Sequence, residues 1–122
     1  MDTSSIAVVD DNKVLREALD SLLRAYGYRV QVFGSAEEFL ARGSIETYAC
    51  VILDVKLPGI SGLELHALME ANDPHPPVIF LTAHDELAIA LIACVARGAA
   101  VAYLAKPFEE ASLLAAIRKA GL

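Results

Sequence analysis

Five polar residues stand where apolar runs stop. Asp10 and Asp11 follow Ser5-Ile-Ala-Val-Val9, Asp54 follows Cys50-Val-Ile-Leu53, Thr82 follows Val78-Ile-Phe-Leu81, and Lys106 comes just after Val101–Leu104. Each has an ordinary explanation when taken alone. An acidic pair before a helix is more often a cap than a metal site, a Thr can satisfy a turn, and a Lys can be a solvated loop charge. Together they are three carboxylates, a hydroxyl and an ammonium. Carboxylates gathered at one rim repel one another, and a single Lys cannot neutralise them all. A hard divalent cation can, and a few carboxylates plus waters is the usual way of holding Mg2+. Beside such a metal, a carboxylate flanked by a hydroxyl and an ammonium is arranged to accept a phosphoryl group. Asp54 would attack, Thr82 and Lys106 would take phosphoryl oxygens, and an acyl phosphate would result. No Gly-rich phosphate loop is present, so a nucleotide is not the expected donor.

The elements that must position these residues follow from the hydrophobic pattern. Apolar runs at Ser5–Val9, Ala49–Leu53, Val78–Leu81 and Val101–Leu104 read as strands, those at Ala49–Leu53 and Val78–Leu81 as continuous buried ones. Arg29–Phe33 alternates as a half-buried edge strand does. Between them lie helical stretches. From Asn12 the stripe Leu15, Ala18, Leu22, Tyr26 runs to a stop at Gly27, and Ser35-Ala-Glu-Glu38 opens a short helix bearing Phe39 and Leu40. Ser61-Gly-Leu-Glu64 is a second capping box, leading into Leu65, Leu68 and Met69. Asp73-Pro-His-Pro-Pro77 breaks the chain, a helix is expected over about 85–97, and Glu109-Glu110 opens a last one with Leu113, Leu114 and Ile117 on one face. Strand and helix thus alternate five times, which predicts an α/β fold with a parallel sheet covered on both faces by right-handed crossovers. In such sheets ligands bind outside the carboxyl ends of the strands, where all five polar residues fall. Pro58-Gly59 has the chemistry of a type II turn and starts the loop away from Asp54.

Composition narrows the function. At 122 residues and 56% apolar content the chain is sized for one domain, and no apolar window of about 18 residues free of charge suggests a membrane span. The net charge of −6 without a Lys/Arg cluster argues against direct nucleic-acid binding. Cys50 and Cys94 lack metal-ligand spacing and read as core residues of a protein in a reducing compartment, the cytoplasm. His66 and His75 read as surface positions. His84, near the expected site, is either a solvated loop residue or an influence on the water that hydrolyses the acyl phosphate.

The chain resembles the response-regulator receiver domains of two-component signalling over essentially its whole length. The likeness is carried by Val8-Val-Asp-Asp11, Leu53-Asp54 with Leu57-Pro-Gly-Ile-Ser-Gly-Leu-Glu64, Leu81-Thr-Ala83 and Lys106-Pro-Phe108. Phe33-Gly-Ser-Ala-Glu-Glu-Phe-Leu40 is similar to the subgroup that usually carries a helix-turn-helix output domain of the nitrogen-fixation-regulator type. The resemblance implies a flavodoxin-like doubly wound sheet of order 2-1-3-4-5, spanning 1–122 as one phospho-acceptor domain with no output domain in this chain. It implies that Asp54 takes its phosphoryl group from a sensor histidine kinase, and that Asp11 and Asp54 bind Mg2+ directly, Asp10 through water, and Lys56 through its main-chain carbonyl. It implies a cis Lys106-Pro107 peptide, and a switch in which Tyr103 turns inward as Thr82 moves toward the phosphoryl oxygens. Such a domain is a signalling switch that catalyses only its own phosphotransfer and dephosphorylation. It would reach DNA, and so control transcription, only through its output domain.

One region departs from the family pattern. The interval from Thr82 to Lys106 is somewhat longer than usual, with the extra residues flanking Gly98. The helix expected there is apolar all round, with Leu87, Ala90, Leu91, Cys94, Val95 and Gly98 on the face that would cover the sheet and Ile89, Ile92, Ala93 and Ala96 on the other. Either Ile89, Ile92 and Ala96 form a homodimer or output-domain contact, or the helix is re-registered so that they are buried within their own domain. Two other functions compete with the receiver reading. A phosphohydrolase with an Asp nucleophile would need an acid/base carboxylate where Lys56 stands, and a degenerate receiver would lack one of the five rim residues.

Overall fold

The computed structural model describes residues 5–72, 74–83, 92, 95–98 and 100–122. The order is β1 (Ser5–Val9), α1 (Lys13–Ala25), β2 (Arg29–Phe33), α2 (Ala36–Arg42), a 3-10 turn (Ile45–Thr47), β3 (Cys50–Asp54), α3 (Gly62–Ala71), β4 (Val78–Thr82), β5 (Ala102–Ala105) and α4 (Glu110–Lys119). All strand pairs are parallel, in the order β2-β1-β3-β4-β5. Of the helix expected over 85–97, Ile92, Val95 and Ala96 are described and are helical. Leu87, Ile89, Ala90, Leu91, Ala93 and Cys94 lie outside the described residues, as does His84.

Strand alternation sorts the core into two layers. Ala7, Val9, Val51, Leu53 and Phe80 face Phe39 of α2 and Leu65 and Met69 of α3. Ile6, Val8, Ile52, Ile79 and Leu81 face Leu19 and Leu23 of α1 and Leu113 and Ile117 of α4. Because β3 and β4 carry large apolar groups on both faces, each is buried along its whole length. Full burial of one such side chain, Phe80 for example, contributes about 2–3 kcal/mol. Cys50 belongs to the second layer, and burial pushes its thiol up to about 12, so it is an inert core residue.

Several expectations on helix faces are corrected. In α1 the buried pair is Leu19 and Leu23, supported by Leu15 and Leu22, while Ala18 and Tyr26 are exposed. The inward stripe is therefore rotated by about one residue, which brings the larger Leu side chains onto the sheet. In α3 Leu65 and Met69 point inward but Leu68 is exposed, and His66, expected at the surface, is only 2% exposed. His66 lies edge-on to Phe80, with ring centroids 5.1 Å apart, and its Nδ1 is 3.7 Å from Glu70 Oε1. The box at Ser35 is half formed. Ser35 Oγ accepts from Glu38 N–H, but the Glu38 carboxylate reaches past Ser35 to Gly34 N–H.

Candidate functional site

The chain passes from β1 outward to β2 and then returns to β3 on the other side of β1, so the carboxyl ends of β1 and β3 flank the point where strand order reverses. Asp10 is the first residue beyond β1 and Asp54 the last of β3. Both are buried, at 0% and 6% exposure, while Asp11 is exposed. The capping explanation for the acidic pair fails, because Asn12 is the N-cap of α1 and its side chain accepts from Leu15 N–H. Asp10 is held instead by Asn12 N–H donating to Oδ1 at 2.8 Å and by the Arg16 guanidinium donating to its main-chain oxygen at 2.9 Å. Carboxylate oxygens of Asp10, Asp11 and Asp54 all lie within 4.8 Å of one another.

Lys106 joins this group from β5. Its Nζ donates to Asp10 Oδ2 at 2.9 Å and to Asp54 Oδ2 at 3.1 Å. Burial, and then the charge of Asp10, hold the Asp54 carboxyl above its ordinary value, with Lys106 only partly offsetting them. Burial alone would lower the Lys106 ammonium, but its bonds to Asp10 and Asp54 outweigh that and hold it raised. Thr82 ends β4 beside this pair, buried at 3% exposure, and Lys106 N–H donates to the Thr82 carbonyl at 2.7 Å. The Lys106-Pro107 peptide is cis. Tyr103 sits on β5 opposite Phe80, half-buried against the first core layer.

The loop after β3 completes the rim. Lys56 is exposed, and its main-chain N–H donates to Asp54 Oδ1 at 3.2 Å. Gly59 has φ +76°, as the Pro58-Gly59 turn requires. The loop closes where Gly62 N–H donates to the Val55 carbonyl at 2.9 Å, an approach so tight that a Cβ on Gly62 would lie 1.9 Å from the Asp54 carbonyl oxygen. The Ser61–Glu64 box then starts α3 with both reciprocal bonds formed. An open cleft of about 500 Å3 runs beside Asp11, Lys56, Leu57 and Pro58. A more enclosed cavity of about 290 Å3, lined by Leu40, Ile45, Leu68 and His75, opens at the opposite end of the sheet, where no group of this chemistry is found among the described residues. The rim that gathers Asp10, Asp11, Asp54 and Lys106, bordered by the open cleft at Asp11, is therefore the candidate site.

Asp10, Asp11, Asp54 and Lys106 are brought together at the rim, and Thr82 joins them through its main chain, its carbonyl accepting from Lys106 N–H. Arg16 and Glu37 were not foreseen. Arg16 holds the Asp10 backbone, and Glu37 of α2 accepts from Ile60 N–H at 3.0 Å across the loop after β3. Both act through long side chains on main-chain groups distant in sequence, a pairing that no local pattern announces.

A family model described as the response regulator receiver domain matches residues 6–118. The chain belongs to this family. The Azorhizobium caulinodans transcriptional regulatory protein FixJ is 40% identical over 113 residues, covering 93% of this chain and 53% of that protein. Nodulation protein W of Bradyrhizobium diazoefficiens is 38% identical over 112 residues, covering 92% of this chain and 48% of that protein. This receiver chain thus spans about half the length of these curated relatives. The response regulator TrrA of Thermotoga maritima, solved in complex with Mg2+-BeF, superposes with a TM-score of 0.81 at 32% identity, covering 96% of this chain and 98% of that one. The receiver fold with order 2-1-3-4-5 is therefore common to both. Receiver domains are signalling switches of two-component systems, and this chain is one of them. Among its described residues no helix is long and apolar enough to cross a membrane.

Proposed function

We propose that this receiver domain accepts a phosphoryl group on Asp54 from a sensor histidine kinase, with Mg2+, and so controls an output domain that acts on transcription. The observation that carries the proposal is the Asp10–Lys106–Asp54 bridge beside a third carboxylate, Asp11. An all-oxygen site whose three carboxylates outnumber the Lys106 ammonium bonded to two of them fits a small hard ion. Oxygens shared by Mg2+ at about 2.1 Å stand no more than about 4.2 Å apart, so carboxylates within 4.8 Å need only close slightly or place a water between. Asp11, Asp54 and the Lys56 carbonyl would hold the ion directly and Asp10 through water. When bound, the metal neutralises the carboxylates and withdraws charge from the phosphoryl oxygens.

The remaining chemistry belongs to the chain. An Asp54 carboxylate oxygen attacks phosphorus, forming the P–O bond as the bond from phosphorus to the donor nitrogen breaks. The departing imidazole keeps the bonding pair, leaving as a neutral group once a proton is in place. Lys106 turns from Asp54 to the phosphoryl oxygens, and the Thr82 hydroxyl takes another. Lys56 offers no acid/base carboxylate, which supports a domain that is modified over one that turns over substrates. Dephosphorylation is then the domain's own reaction. Tyr103, next to Phe80 on β5, is the aromatic switch of the proposal. Ile92 at 51% exposure and exposed Ala96 support a homodimer or output-domain contact on the 85–97 segment, to which Ile89 would contribute. Cytoplasmic residence belongs to the same proposal and is supported by Cys50, a free thiol in the core. Any contact with DNA is made by the output domain.

The test is intact mass spectrometry after incubation with acetyl phosphate and Mg2+. One added phosphoryl group is expected, labile to hydroxylamine and absent with EDTA or in Asp54→Asn. An unmodified wild-type mass with both acetyl phosphate and a phosphorylated kinase domain would overturn the proposal.

A further inference from the structure

We infer that Glu37 is a positioning residue for the metal-holding loop, tying the first turn of α2 to the segment that carries the Lys56 carbonyl. The inference rests on the Mg2+ site proposed above. Two independent contacts place the Glu37 carboxylate. Oε2 accepts from Ile60 N–H at 3.0 Å, and it lies so close over Gly59 that a Cβ there would be 2.3 Å from Oε2 and 3.1 Å from Cδ. Glu37 thus binds the turn where Gly59 leaves room for it, and that bond holds its carboxyl below the ordinary range.

The loop is fixed at its start, at its middle and at its end. At its start Val55 N–H donates to the Leu81 carbonyl at 2.9 Å and Lys56 N–H to Asp54 Oδ1. At its end Gly62 N–H closes on the Val55 carbonyl, and the Ser61 box begins α3. Between these, the turn at Pro58–Ile60 is tied from outside by Glu37. A carbonyl ligand is useful only if it is already in place when the ion arrives, since ordering the loop at that moment subtracts from affinity. Helix capping alone does not explain the residue. Ser35 and Glu38 satisfy the N–H groups of Glu38 and Gly34, and the Glu37 carboxylate, besides meeting its own main-chain N–H, reaches across to Ile60 N–H outside its helix. It is not a metal ligand either, because the carboxylates gathered at the rim are those of Asp10, Asp11 and Asp54.

Isothermal titration of the metal-free protein with Mg2+, for wild type, Glu37→Ala, Glu37→Asp and Glu37→Gln, tests this. Ala removes the acceptor, Asp keeps the charge but falls a methylene short, and Gln keeps an oxygen that can accept from Ile60 N–H. Mg2+ binding is expected to weaken about threefold to tenfold in Ala and Asp, and to stay within about twofold in Gln. With acetyl phosphate, the Ala variant should need correspondingly more Mg2+ for half-maximal labelling while its rate at saturating Mg2+ is unchanged. Melting in EDTA should leave the Ala, Asp and Gln midpoints together. Wild-type affinity in Glu37→Ala overturns the inference, as does an equal loss in Ala, Asp and Gln that tracks their melting. Absence of Mg2+ binding in the wild type strikes at the functional proposal itself, a separate outcome.

Discussion

Asp54 must be ionised to act as a nucleophile, yet burial and the neighbouring charge of Asp10 push its carboxyl upward. A folded-state value above the unfolded one means that Asp54 favours folding fully only when protonated, below the ordinary Asp range. That contribution is lost as pH rises through the folded value. At neutral pH and without metal, the ionised side chain therefore opposes the fold. Replacing it by the neutral isostere Asn should stabilise the metal-free protein by roughly 1 kcal/mol, a rise of about 4 °C in midpoint by calorimetry in EDTA. Mg2+ should raise the wild-type midpoint and scarcely move Asp54→Asn. A variant that melts below wild type in EDTA would show that the bond from Lys106 outweighs the repulsion. At this scale the sequence was informative where strands ended, because each polar residue has an ordinary explanation alone but three carboxylates, a hydroxyl and an ammonium at one rim do not. It was silent on Arg16 and Glu37, whose partners are main-chain groups identical in every residue, and it placed His66 at the surface, because the burial of His66 depends on Phe80 of β4 meeting α3.

The fit between β3 and α3 depends on one missing side chain. A methyl group on Gly62 would sit 1.9 Å from the Asp54 carbonyl oxygen and its Cβ would lie 2.9 Å from the Val55 Cα, both main-chain atoms that no rotamer change can move. Gly62→Ala must push the whole helix off the strand end, breaking the Gly62–Val55 bond and shifting Lys56. A loss of about 3 kcal/mol or more in urea denaturation is expected, with Mg2+ binding lost alongside it. A loss under about 1 kcal/mol would mean that α3 can slide without cost. The elements themselves were legible, since apolar runs, capping boxes and Gly stops act locally. Faces were less so. In α1 both the expected and the observed stripes keep helical spacing, and the choice of Leu19 and Leu23 over Ala18 and Tyr26 comes from the volume the sheet needs filled. Gly62 itself could not be distinguished from an ordinary first-turn residue, because the close approach exists only once α3 is laid against β3.

Two apolar layers enclose the sheet, and of the apolar residues expected outside them, Ile92 and Ala96 are described and exposed. Ile92 is 51% exposed, well above the fifth or less that would place it inside its own domain. At Ile92 this favours the proposed contact surface over an internally buried helix, while Ile89, expected on the same face, lies outside the described residues. The alternation of strands and helices revealed the architecture but not this distinction, because a helix apolar all round has the same sequence whether a partner or its own domain covers it. The site and the surface make the prediction for the whole domain one of linkage: a group held by Asp54, Thr82 and Lys106 at one rim should change self-association through Ile92. Covering the exposed half of Ile92 in both protomers contributes about 2–3 kcal/mol, enough to weaken a dimer at least about 30-fold when a charge replaces it. Light scattering on the eluting protein, with Mg2+ and beryllofluoride as the phosphoryl stand-in, should show wild type moving from monomer to dimer. Ile92→Glu should remain monomeric while still accepting a phosphoryl group from acetyl phosphate. If the variant dimerises as the wild type does, or if the wild type stays monomeric with the site filled, self-association through this segment is not how the signal leaves the domain.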